Sequence, residues 1–150
     1  MTSADAPPPP PGFELFHRGS GPWLSSLGPL YLRTEGDRAI LAMRIADTHA
    51  NTRGLAHGGM LVTFADSALG ILIAMQHAPS QPMVTVSLAT DFLDAARPGD
   101  FLEAFVDIER MGRRLAFATC LLRVGERRIL RASGVFSVVS VRRPREDFEG

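Results

Sequence analysis

At 150 residues, with 45% hydrophobic and 21% charged residues, the chain has the composition of one soluble globular domain, not of a disordered segment. Its formal net charge is zero and it has no long basic tract, which excludes DNA or RNA as a main partner. A single cysteine, Cys120, excludes an internal disulfide and fits a reducing, cytoplasmic compartment.

The N-terminal stretch MTSADAPPPPPG lacks the basic start and apolar segment of a secretory signal. Pro7 to Pro11 predicts a polyproline conformation, so residues 1–12 read as a disordered leader outside the domain. Phe13 to His17 reads as a helical turn, broken by Gly19, Gly21 and Pro22. Leu30 to Thr34 and Arg38 to Ile45 then read as strands joined by the turn Glu35-Gly36-Asp37. The polar loop Asp47 to Arg53 leads into an apolar run from Gly59 to Met75 that holds one formal charge, Asp66. A run of this kind predicts a buried helix; Asp66 and the long strand pattern that follows argue against a membrane span. After the loop Pro79 to Pro82 come four strand-length segments, Val84 to Leu93, Phe101 to Arg110, Leu115 to Val124 and Ile129 to Val141. They read as a four-strand meander, and the charged residues 142–150 as a tail. The expected fold class is α+β: an antiparallel sheet over residues 13–141, wrapped around one long helix.

Within the helix, Gly59, Thr63, Asp66 and Gly70 are spaced four, three and four apart and so share one face. That small, polar stripe would admit another backbone or a ligand close to the carboxylate. Asp66 reads either as a structural acid paired with an arginine or as a functional one. At the helix start, His57-Gly58-Gly59 places glycines where the first N–H groups lack intrahelical partners. Such N–H groups can polarise a carbonyl oxygen, although a tight turn alone would also use glycine there. Gly58 and Asp66 lie about 12 Å apart along the axis, too far to serve one carbonyl from one helix. If both are catalytic, two copies of the helix must meet, as a twofold dimer allows.

Other chemistries are poorly supported. No G-x-S-x-G occurs, and His17, His49, His57 and His77 lack H-E-x-x-H spacing, so neither a serine nucleophile elbow nor a metal site is expected. No cofactor is implied. The histidines other than His57 read as surface or core filling, and Cys120 as a small core residue.

Taken together, Asn51, Gly54, His57-Gly58-Gly59 and Asp66, in a strand-strand-helix-four-strand order, resemble the hotdog-fold acyl-CoA thioesterases of the PaaI-like, phenylacetic-acid-degradation branch. The match runs from about Leu27 to Val141. The resemblance implies that Asp66 is the catalytic carboxylate, as nucleophile or as general base toward water. It implies that the Gly58 N–H polarises the thioester carbonyl with His57 and Gly59 beside it, and that Asn51 of the partner chain orients the water or the carbonyl. Thr85 matches a position often held by a hydroxyl residue that places the attacking water. Arg110-Met-Gly-Arg113 followed by Arg114 resembles the family's basic turn near the nucleotide, which makes Arg113 and Arg114 the candidate contacts to coenzyme A. The implied partners are an acyl-CoA substrate and further copies of the chain, as a homodimer or a dimer of dimers with shared sites. A hotdog hydratase or dehydratase, or a non-catalytic acyl-CoA-binding module, is the alternative on the same fold. Aromatic and medium-chain acyl groups are both open.

Overall fold

The computed structural model describes residues 5–17, 21–77 and 80–139. Its centre is the expected helix, α2, Gly58–Gln76, which buries Leu61, Phe64, Ala65, Ala68, Leu72 and Ile73. These recur every three or four residues, so one broad apolar face meets the sheet. By length and hydropathy α2 would also pass for a membrane span, but that face is covered by the chain's own strands.

Seven strands form one antiparallel sheet: β1 Glu14–Leu15, β2 Leu30–Glu35, β3 Arg38–Arg44, β4 Met83–Phe92, β5 Phe101–Met111, β6 Leu115–Val124 and β7 Arg127–Val138. Their order in space is β1-β2-β3-β5-β6-β7-β4. The last four strands are therefore not a simple meander. The chain leaves α2 into β4 at one edge, then crosses to β5 beside β3, and β5, β6 and β7 return toward β4. This crossing lets β4 to β7 all contact α2, which consecutive pairing from β3 onward would not bring about.

Two local expectations near the N-terminus are corrected. Phe13 to His17 is not a helical turn, because Glu14 and Leu15 pair with Leu32 and Tyr31 as β1. The Gly-Pro that reads as a break instead starts a short helix, α1, Gly21–Ser26. Proline suits the first helical turn, where its missing N–H leaves no bond unmade. Residues 1–4 and 18–20 lie outside the described residues, as do 140–141 of the expected last strand and the tail 142–150. In the leader, the Pro8 carbonyl accepts a hydrogen bond from Arg44 at 3.1 Å, so this part of residues 1–12 lies against the domain.

The sheet has a second, outer core, in which Phe13, Ile40 and Ala42 pack with Tyr31, Phe101 and Phe105. Arginines cover this face: Arg33 sits 4.6 Å from the Phe13 ring centre and Arg44 5.1 Å from that of Phe101. Guanidinium planes stack on aromatic faces while remaining partly hydrated, so they can close a small core toward water. β3, with Ile40 to Met43 buried, is consequently covered on both sides. On the inner side, a Cβ on Gly134 of β7 would lie 2.5 Å from the Phe136 ring and 3.2 Å from Leu69. Glycine there lets α2 approach the sheet closely. Cys120 is buried on β6, and burial, with the nearby Asp107 charge second, pushes its thiol up to about 12. It is a protonated core residue at neutral pH.

The edge strand β4 is unlike the others. Its ten residues are largely exposed, with Val84 at 54%, Val86 at 59% and Phe92 at 57%. The helix stripe beside it, at Gly59, Thr63, Asp66 and Gly70, is likewise not fully covered.

Candidate active site

Asp66 lies on α2 at the boundary between the buried face and the open stripe, facing β4. There the Thr85 hydroxyl donates a 2.6 Å hydrogen bond to Asp66 Oδ1. A β-bulge at Val86 interrupts the ladder between Thr85 and Ser87 and sets the direction of Thr85 just before it. No arginine pairs with Asp66 among the described residues, whereas Asp91, Asp94, Asp100 and Asp107 each meet one. The carboxylate is thus oriented by one neutral donor, which leaves Oδ2 for other chemistry.

The start of α2 is built from His57 and two glycines. His57 caps the helix: its Nδ1 accepts the Gly59 N–H at 2.9 Å, and its carbonyl accepts the N–H groups of Met60 and Leu61. Since Nδ1 accepts, a neutral His57 carries its proton on Nε2. The Gly59 N–H is already engaged by this cap and is not a second donor to a carbonyl. The remaining donor is the Gly58 N–H, which has no hydrogen-bond partner among the described residues. The Phe92 ring lies against Gly58, 3.1 Å from where a Cβ would sit. Any larger residue at 58 must move that ring.

Asn51 is first of all a turn former. Its Oδ1 accepts the N–H groups of Arg53 and Leu55 at 2.9 and 3.2 Å, while Gly54 takes the positive φ of +75° that the turn requires. Only the carboxamide NH2 is left to act on a substrate or water. Within one chain Asn51, His57 and Gly58 therefore cluster at the helix start, and Asp66 and Thr85 lie together about 12 Å further along the axis. Arg113 and Arg114 are exposed on the turn between β5 and β6. In register, Thr85 pairs with Phe136 and Phe136 with Ala116, so this turn lies two strands from Thr85 at the same end of the sheet.

One of the histidines read as surface or core filling, His49, is buried and structural. His49, 7% exposed, accepts the Ala46 N–H on Nδ1 at 2.9 Å, its carbonyl takes the His57 N–H at 2.8 Å, and it is hydrogen-bonded to the Leu27 backbone. It ties the end of α1 to the start of α2. Burial lowers its pKa below the ordinary 6.5, outweighing the Leu27 bond. Below pH 6.5 the unfolded chain then binds a proton that the folded chain resists, so stability rises with pH in that range and is lost on acidification. Thermal melts between pH 5 and 7 should show this slope, and His49→Asn should flatten it. An unchanged slope would mean that His49 does not carry it.

The family model of the Thioesterase superfamily matches residues 53–130. A Pseudomonas aeruginosa protein named "Putative esterase PA0474" is 46% identical over 128 residues, covering 85% of this chain and 95% of that protein. The mouse protein named acyl-coenzyme A thioesterase 13 is 28% identical over 83 residues, 55% of this chain and 59% of its own length. Among solved structures, the E. coli PaaI protein from the phenylacetic acid degradation operon superposes with a TM-score of 0.69 at 19% identity. That superposition covers 79% of this chain and 84% of PaaI, and the shared architecture is the hotdog fold.

Proposed function

Because this chain belongs to the Thioesterase superfamily and is a thioester hydrolase by that membership, we propose that it hydrolyses acyl-CoA thioesters, with Asp66 as general base at a site shared by two protomers. The observation that carries this reading is the Thr85–Asp66 hydrogen bond beside an otherwise open helix face. A hydroxyl that donates to the carboxylate keeps lone pairs able to accept from water, so Thr85 and Asp66 Oδ2 can hold one water between them. Asp66 takes a proton from that water as its oxygen attacks the thioester carbon. The Gly58 N–H stabilises the resulting oxyanion at the positive end of α2. The C–S bond then breaks and the thiolate departs. A thiol is acidic enough, near 8.5 for a simple side chain, for its thiolate to leave without a strong acid. The acyl-coenzyme A name of the mouse relative supports coenzyme A as the thiol, and Arg113 and Arg114 are suited to its phosphates.

The two halves of the site belong to different chains. Phe92 contacts Gly58 and Thr85 contacts Asp66, so β4 runs past α2 in the opposite direction. If two β4 edges pair antiparallel about a twofold axis near Leu88 and Ala89, Thr85 of one chain comes opposite Phe92 of the other. Asp66 is thereby brought to the partner's Gly58, across the 12 Å or so that separates them within one helix. A long, exposed, largely uncharged edge is the kind of strand that pairs in this way.

The test is thiol release from a panel of aryl-, short-, medium- and long-chain acyl-CoAs. Release of CoA by the wild type is expected. Binding without release would leave an acyl-CoA-binding module instead. A single turnover in H2 18O tests a nucleophilic role for Asp66: aspartyl 16O in the acid product, with 18O retained on Asp66, marks an anhydride opened at the aspartyl carbonyl, whereas a general base puts 18O into the product and none on Asp66.

A further inference from the structure

Beside the start of α2 lies a cleft of about 420 Å3, lined among others by Trp23, Leu27, His57, Gly59, Met60 and Thr63. Its far wall is α1. Leu24 of that short helix is buried, whereas Trp23, the only tryptophan of the chain, is 67% exposed. Holding so large an apolar ring in water gives up what its burial would contribute, so an exposed tryptophan on the wall of a cleft is a feature that calls for an occupant. The cleft is continuous with the catalytic groups. Gly59 follows the carbonyl-polarising Gly58, and Thr63 lies one helical turn before Asp66.

We propose that this cleft receives the acyl half of the thioester and that Trp23 selects for its size by stacking on it; this rests on the acyl-CoA thioesterase reading above. A carbonyl held at the Gly58 N–H of one protomer has that same protomer's cleft next to it, so the acyl group enters beside His57 and Met60. The other side of the carbonyl is left to the thiol and to the partner's Asp66. At about 30 Å3 for each water-sized group, the cleft holds on the order of a dozen such groups. An arylacetyl or medium-chain acyl group fits within that volume. The lining is apolar at Trp23, Leu27, Ala50 and Met60, with hydroxyl and imidazole groups at Thr48, His49, His57 and Thr63. This suits a hydrocarbon or phenyl group better than a polar one.

Because Trp23 is the only tryptophan, its fluorescence reports the cleft directly. The experiment titrates Asp66→Asn protein with octanoyl-CoA, phenylacetyl-CoA and free CoA, and measures kcat/KM for octanoyl- and acetyl-CoA in wild-type, Trp23→Ala and Trp23→Phe protein. The acyl-CoAs should shift Trp23 emission and free CoA should not. Trp23→Ala should lower the octanoyl-to-acetyl ratio of kcat/KM about tenfold, chiefly through KM, and Trp23→Phe should restore most of it. Emission that free CoA moves equally, or that octanoyl-CoA leaves unmoved while the wild type hydrolyses it, would overturn the proposal, as would an unchanged ratio in Trp23→Ala. Trp23→Ala chains that run as a smaller species would place the indole at a subunit contact and overturn it as well. If no acyl-CoA is hydrolysed by the wild type yet acyl-CoA shifts the emission, the reaction fails and the acyl cleft stands.

Discussion

Asp66→Asn should lower kcat for a good acyl-CoA substrate by about a thousandfold, within the range expected for loss of a positioned general base. That corresponds to about 4 kcal/mol of transition-state stabilisation. The substitution isolates the chemistry because an asparagine oxygen can still accept the Thr85 hydroxyl that now binds Oδ1. Its shape and position are kept, and only the proton acceptor is lost. KM, melting temperature and oligomer size should therefore change little, which steady-state thiol release, calorimetry and size-exclusion chromatography would establish together. Full activity in the variant, with contaminating host enzymes excluded, would remove Asp66 from catalysis.

The same variant tests whether sites are shared. Its natural complement is Asn51→Asp: aspartate keeps an oxygen for the Arg53 and Leu55 N–H groups and replaces the carboxamide donor with a negatively charged acceptor. Mixed dimers of the two variants should contain one intact site of two, so an equal mixture should recover about a quarter of wild-type activity. No recovery in verified mixed dimers would confine each site to one chain.

A second large effect is expected from charge on the open sheet edge. Lysine at both Val84 and Val86 should convert the proposed dimer to monomers and reduce kcat/KM at least a hundredfold, although neither residue touches the proposed chemistry. Both side chains are more than half exposed in the single chain, so the substitution removes no core contact. Charged edge strands resist pairing because the partner strand would bring a second lysine into the same low-dielectric seam. Circular dichroism should report an intact fold while light scattering reports half the mass. A monomeric variant with full activity would show that Asp66 and Gly58 need not come from different chains.

Much of this was legible in the residue order, for a physical reason. α2 and the strands from β2 onward follow hydrophobic periodicity and turn chemistry, which act between near neighbours in sequence. The boundaries of β6 match the reading residue for residue. The polar stripe of α2 follows from helix geometry alone, so Asp66 stood out before any fold was known. The N-terminal reading failed where that locality ended. β1 is two residues long and is extended only because β2 lies beside it. In the same region, α1 begins with the very residues that ordinarily end a helix.

What only the tertiary structure decided is who meets whom. Each strand's period says that it pairs but not with which neighbour, and the crossing of β4 to the far edge follows from the need to enclose α2. That placement brings Thr85 to Asp66 across 19 positions and lays Phe92 against Gly58. Likewise, the residue types at 51 to 59 announce a tight turn and a helix start. Only the folded loop shows that His57 claims the Gly59 N–H and that Asn51 spends its oxygen on the turn. Hydrogen bonds are settled by distance and direction in space, and sequence supplies the donors and acceptors without their geometry.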